Sequence, residues 1–268
     1  MLEEIKVLVR GGGDLASGVV YRLHRSGMRV LVTELPQPTV IRRAVAFAAA
    51  MYEDVVEIEG VVGRQVASLE EARVSLQRDE VPVMADPEGA VIREWRPDVL
   101  VDAILAKRNV GTKISDAPTV IGLGPGFVAG IDVHAVIETK RGHFLGRVIL
   151  EGSAALDTGI PGAVMGYTAE RVLRAPSEGV LRTEMRIGEE VEAGEAVGHV
   201  HGSLVVASIS GVIRGLLADG LRVSEGMKIG DIDPRGVRKH CFTISDKALA
   251  IGGGVLEAIL YLRRKPSA

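Results

Sequence analysis

The 268-residue chain is long enough for one large domain or two modest ones, and 47% hydrophobic residues supply a real core and exclude a disordered chain. Thirty-two Lys and Arg against 35 Asp and Glu leave a net charge of -3, which argues against a mainly electrostatic nucleic-acid binder. A single cysteine, Cys241, excludes an intramolecular disulfide framework and any Cys-rich metal site within one chain.

In chain order, Ile5–Val9 is a short apolar run that leads directly into glycines. No signal-peptide pattern precedes it, and no run of about 18 apolar residues follows anywhere, so no membrane partner and a cytoplasmic location are expected. Leu15, Val19 and Leu23 recur at helical spacing within Leu15–Arg25, Ser26-Gly27 stops that helix, and Met28–Thr33 reads as a second strand. This β-loop-α-β unit opens a doubly wound parallel sheet. Thr39–Met51 and Leu69–Arg78 read as helices, with strands at Val55–Ile58 and Val81–Met84. Asp98–Ile104 and Pro118–Leu123 read as buried strands, and His134–Glu138 with Phe144–Glu151 as a hairpin pair. Ile244–Arg264 reads as a helix capped by Ser245 or Asp246, whose Gly252-Gly253-Gly254 triplet marks a break or a close backbone approach.

Between these parts lies an ungapped internal repeat with an offset of 32 residues. Glu178–Val200 aligns with Ser210–Ile232 and matches at Gly179/Gly211, Arg182/Arg214, Gly188/Gly220, Val191/Val223 and Gly198/Gly230. Two such copies related by a pseudo-two-fold would interlock as a small sandwich. The repeat resembles the halves of a biotinyl/lipoyl-type barrel-sandwich, although its link, His199–Ser208, has no lysine to carry a cofactor. The expected fold is therefore α/β: a Rossmann-like parallel sheet over 1–170 plus 237–268, and a second, smaller all-β barrel-sandwich domain over 171–236.

Three places can carry chemistry. In Arg10–Gly18, Gly11-Gly12-Gly13-Asp14 with Ala16 satisfies the G-x-G-x-x-A dinucleotide fingerprint between strand and helix, and Glu34 follows where an acid accepts from ribose hydroxyls. The alternative is a glycine turn that merely closes a β-α corner. Gly122, Gly124 and Gly126 after the Pro118–Leu123 strand form either an anion-binding nest or a plain turn. Between Asp102 and His143 lies a polar constellation. Lys107, Lys140 and Arg141 are candidate phosphate or cofactor contacts, and Asp132, His134 and His143 a candidate metal or acid–base set; the alternative for each is a solvated hairpin with strand-edge charges. Catalytic candidates are His134, Lys140, His143 and Cys241, the last as a sulfur or selenium carrier flanked by Arg238, Lys239 and His240; no metal is expected. Gly152–Gly162 is a loop that covers a ligand or connects domains.

The stretches VRGGGDLASGVVYRLHRSG, DAILAKRNVGTKISDAPTVIGLGPGF, DVHAVIETKRGHFLGRVI, LDTGIPG and KHCFTISDKALAIGGGVLEA together resemble the YqeB family, accessory proteins of selenium-dependent molybdenum hydroxylase systems. A more distant similarity is to XdhC-type accessory proteins. The resemblance implies a maturation factor that holds a molybdopterin dinucleotide at the two glycine loops. Its implied partners are a molybdenum hydroxylase apo-enzyme or its maturation machinery, and a homo-oligomer is expected. An NAD(P)-dependent oxidoreductase using the same loop and Glu34, or a transferase using Cys241, is the competing expectation.

Overall fold

Hydrogen bonds along both edges make β1 (Lys6–Arg10) the middle of a sheet in the computed structural model, which describes residues 2–157, 159 and 162–264. Two compact units divide the chain: unit 1 is Met1–Pro38, Ala46–Asp157 and Ile244–Ala268, and unit 2 is Thr39–Val45 and Thr158–Thr243. No helix among the described residues is long and apolar enough to cross a membrane.

In unit 1, α1 (Asp14–Arg25) follows β1 and leads to β2 (Arg29–Glu34). Then come α2 (Ala50–Glu53), β3 (Val55–Ile58), β4 (Val61–Val66), α3 (Leu69–Gln77), β5 (Val81–Ala85) and α4 (Val91–Trp95). β6 (Val99–Asp102), β7 (Thr119–Leu123), β8 (Ala135–Ile137) and β9 (Val148–Ile149) complete a nine-stranded sheet of order β3-β4-β5-β2-β1-β6-β7-β8-β9. The middle strands read as unbroken apolar runs because both their faces are buried. Val7, Val9, Val99, Val101, Ile121 and Leu123 face one cluster, while Leu8, Leu31, Leu100 and Val120 face the other. The last helix of the chain returns to unit 1, packs on α1 and places Ile251, Val255, Ala258 and Ile259 in the first cluster.

In unit 2, β10 (Val172–Arg174), β11 (Gly179–Thr183), β12 (Glu190–Val191), β13 (Ala196–Val200), β14 (Ser203–Val206), β15 (Gly211–Leu216), β16 (Arg222–Val223) and β17 (Lys228–Asp233) precede that last helix, α5 (Asp246–Arg263). They form two antiparallel sheets of order β10-β17-β15-β12 and β14-β13-β11-β16. The repeat sets this arrangement. β12 of the first copy pairs with β15 of the second, Val191 opposite Gly211, and β16 pairs with β11, Val223 opposite Gly179.

Three expectations need correction. The large sheet is mixed rather than a clear Rossmann-like parallel one: β3 and β9 run antiparallel at its two edges, and no α-helix joins β6 to β7 or β7 to β8. The physical reason is the connecting sequence, rich in glycine and charge, which lacks the apolar period needed to cover a sheet face. The small unit is likewise not a clear biotinyl/lipoyl-like domain, because β10 and β14 extend each sheet beyond the repeated strands. Thr39–Met51 is not one helix either. It forms 3-10 turns at Arg43–Val45 and Phe47–Ala49, and the Ala48 amide leaves any helical ladder to donate to the Gly12 carbonyl at 2.8 Å.

Candidate functional site

The carboxyl ends of β1, β6, β7 and β8 gather nearly all the residues singled out in the sequence at one edge of unit 1. At β1, Gly11 turns the chain with φ +91° and donates to the Thr33 carbonyl at 2.8 Å. The Gly12 amide donates to Glu34 Oε2 at 2.8 Å, and the other oxygen of Glu34 accepts from the Leu35 amide at 2.8 Å. Segment 47–48 lies against this loop. Ser17 Oγ donates to the Gly13 carbonyl at 2.9 Å and accepts from the Phe47 amide at 2.9 Å. A Cβ on Gly12 would stand 2.8 Å from Ala48 N, whereas one on Gly13 would meet open space. Ala16 is fully buried, as tight helix–strand contact requires, and Asp14 opens α1.

The second glycine loop is also filled by its own chain. The space beside Gly122 holds the Phe127 ring, that beside Gly124 holds Thr139 Oγ1, and that beside Gly126 holds the Arg108 backbone. The Gly124 amide donates to the Ile137 carbonyl at 2.9 Å.

After β6 a buried polar triad forms that the sequence shows only in part. Thr112 Oγ1 donates to Asp102 Oδ2 at 2.6 Å and accepts from Arg10 Nη1 at 2.7 Å. Asp102 also accepts from the Ile104 amide at 3.1 Å, and the direct Arg10–Asp102 separation is 3.8 Å. Asn109 holds Thr112 in place: its Oδ1 accepts from the Gly111 and Thr112 amides, and its Nδ2 donates to the Thr112 carbonyl. The sequence signal for this triad is a charge ending an otherwise apolar strand, Arg10 on β1 and Asp102 on β6, and nothing local marks Thr112.

Farther along the edge, Lys107 pairs with Asp157, and Arg141 makes a bidentate pair with Asp246 at 2.9 and 3.1 Å. The Lys140 side chain is exposed, while its amide donates to buried Glu138, which also accepts from the Ala155 amide. Loop Gly152–Gly162 borders this region, but Thr158, Ile160 and Pro161 lie outside the described residues.

Lys247, in the first turn of α5, is a further residue that sequence reasoning does not reach. Its side chain is half-buried and forms no ion pair or hydrogen bond among the described residues. Burial, then the neighbouring Arg141 charge, lowers its pKa from the usual lysine value, against the opposing pull of Asp14, Asp157 and Glu138.

The acid–base candidates do not converge. His134 is half-buried, accepts from the Val120 amide at 2.9 Å through Nδ1, and has its pKa lowered by burial. Asp132 accepts from the Val128 amide, and exposed His143 stacks edge-on against Phe144 beside an open cleft of about 450 Å³. Among the described residues no three His, Cys, Asp or Glu side chains gather to hold a metal ion. Cys241 lies in unit 2, fully buried, donating to the Ile213 carbonyl at 3.6 Å; burial pushes its thiol up, which disfavours the thiolate a carrier needs.

No family model matches the chain. A curated relative from Escherichia coli K12, named uncharacterized protein YqeB, is 49% identical over 256 residues. The match covers 96% of this chain and 47% of the relative, so the chain spans about half the relative's length. The chain is thus similar to about half of YqeB, whose name assigns no activity. Among solved structures, TcdA (CsdL) is 14% identical with a TM-score of 0.33, covering 98% of this chain and 90% of that one. A succinylglutamate desuccinylase/aspartoacylase from Rhodobacter sphaeroides is 16% identical with a TM-score of 0.25, covering 84% and 86%. An aspartoacylase family protein from Mesorhizobium loti is 14% identical with a TM-score of 0.26, covering 85% and 84%. Scores this low carry neither fold nor function across. The expected molybdenum hydroxylase accessory role, with a dinucleotide in a Rossmann-like loop, is corrected on the geometry of that loop: the Gly12 amide and the Glu34 carboxylate that would grip the dinucleotide grip each other.

Proposed function

We propose that unit 1 binds a small organic anion at the carboxyl edge of its sheet, with the Lys247 ammonium as the anchoring charge. One observation carries this reading: Lys247 is half-buried at that edge with no direct partner among the described residues, while Asp157, Arg141 and Glu138 around it are engaged with other groups. A buried cation without a partner is a cost that a bound anion would offset. Open space in front of Gly13, at the start of α1, leaves room on the same edge.

The lowered pKa fixes a pH signature. Lysine must be protonated to attract an anion, so affinity should fall as pH rises through the lowered value, below the ordinary 10.5. Thermal shift with a panel of mono-, di- and tricarboxylates at constant ionic strength tests the reading, because native-state binding raises Tm. The expected result is a saturable rise for one class of carboxylate that disappears in Lys247→Met. A flat panel, or binding undiminished in that variant, would overturn it.

A further inference from the structure

Unit 2 contains a second concentration of charge that none of the preceding chemistry uses. Arg214 lies on β15 with its side chain 12% exposed, and its one ion pair among the described residues is a long one of 3.6 Å to Asp233 Oδ2. Asp233 is already committed: it accepts from Arg235 Nε at 2.8 Å, Arg235 Nη2 at 2.6 Å and the Arg235 amide at 3.1 Å. The neighbouring Asp231 is held by Arg171. Arg214 Nε is buried with no hydrogen-bond partner among the described residues, and so is Nδ1 of His240. The 3-10 turn Arg238–Cys241 packs on β15 through the Cys241–Ile213 contact, which brings His240 and Arg214 onto adjacent segments. Arg42 stands close by and donates to the His240 carbonyl at 3.1 Å. Buried polar atoms are rarely left without a partner, so the Arg214 Nε donor and the His240 ring nitrogen need an explanation.

The internal repeat sharpens the point. Arg182 is the counterpart of Arg214 in the first copy, and it is satisfied across the pseudo-two-fold by Asp219, at 3.1 Å. Thirty-two residues before Asp219, where symmetry would supply the matching acid for Arg214, the sequence has Ile187. One arginine of the pair therefore has a close carboxylate at its symmetry position, and its buried twin has only a distant share of Asp233, which Arg235 holds, among the described residues.

We propose that unit 2 binds a tetrahedral oxyanion, a phosphate or sulfate group, at Arg214, with His240 beside it. A guanidinium offers a planar fork of donors that matches two oxygens of such a group, and burial strengthens the attraction. Burial, then the charge of Arg42, lowers the Arg214 pKa, the electrostatic situation that an added negative charge relieves.

The test uses the full chain with inorganic phosphate, and separately glycerol 3-phosphate, each against potassium chloride at equal ionic strength. Binding is read by calorimetry and by the Arg Nε–Hε signals in NMR. Saturable phosphate binding that shifts the Arg214 signal, and weakens at least tenfold in Arg214→Met but not in the exposed control Arg93→Met, is the expected result. If glycerol 3-phosphate binds more tightly and shifts the same signal, the oxyanion is the end group of a larger ligand, and the assignment stands. Arg214→Lys, which keeps the charge but loses Nε, should show the same weakening if Arg214→Met does not fold. No saturable binding of either probe would overturn the proposal, as would binding undiminished in the Arg214 variants. The latter would send the anion to the Lys247 edge, whose carboxylate test is scored separately.

Discussion

The Gly12 amide and the Glu34 carboxylate, 2.8 Å apart, satisfy each other at the point where a dinucleotide fingerprint would place a ligand. A donor and an acceptor that sequence logic assigns to a cofactor are here an internal clasp between the ends of two neighbouring strands.

Removing that clasp should destabilise the fold. Glu34→Ala leaves the Gly12 and Leu35 amides without their acceptor, at a cost of about 1–3 kcal/mol. A lower midpoint in urea denaturation would register it, and NAD or NADP should leave the wild-type Tm unchanged.

Two adjacent glycines should respond in opposite ways. Gly12→Ala forces a Cβ to within 2.8 Å of Ala48 N and should cost about 1–3 kcal/mol, like other overpacking changes. Gly13→Ala meets nothing and should stay within about 0.5 kcal/mol of wild type. Paired thermal melts would separate the two.

Thr112 is the hinge of the buried triad. Thr112→Val should cost about 1–3 kcal/mol, because Arg10 and Asp102 lose the hydroxyl that links them across 3.8 Å. Thr112→Ser should recover most of the loss in chemical denaturation.

Cys241 should be inert in the native protein. With the thiol fully buried and its pKa raised, a disulfide reagent should label it only at the rate of unfolding, and denaturant should accelerate labelling steeply. Rapid stoichiometric labelling without denaturant would contradict the burial.

His134 should shape the acid limb of stability. Its folded pKa lies below 6.5, so the native state holds fewer protons than the unfolded chain between that lowered value and 6.5. Stability is then fully present above 6.5 and is lost as pH falls through that window. His134→Gln should flatten this part of the stability–pH curve.

Legibility in the sequence follows the distance over which each contact is made. β6 and β7 are visible as apolar runs because burial on both faces needs no polar alternation, and the copies in unit 2 are visible because each strand repeats at a fixed offset. The Gly252-Gly253-Gly254 triplet is also readable: α5 is unbroken there, and the first of the three lies against the Gly18 backbone. What fills the glycine loops is not readable, since Phe47 and Ala48 reach the first loop from beyond β2 without a local pattern. Arg10 and Thr112 meet across 102 residues of sequence, and Lys247 differs from any exposed lysine only in its surroundings.

The close seating of α5 on α1 also sets an order of events during synthesis. The α1 surface around Gly18 has no cover until the ribosome has released the stretch containing Gly252, after all of unit 2 has been made. Until then the α1 face at Gly18 stands open to water, a natural target for chaperones and for proteases alike.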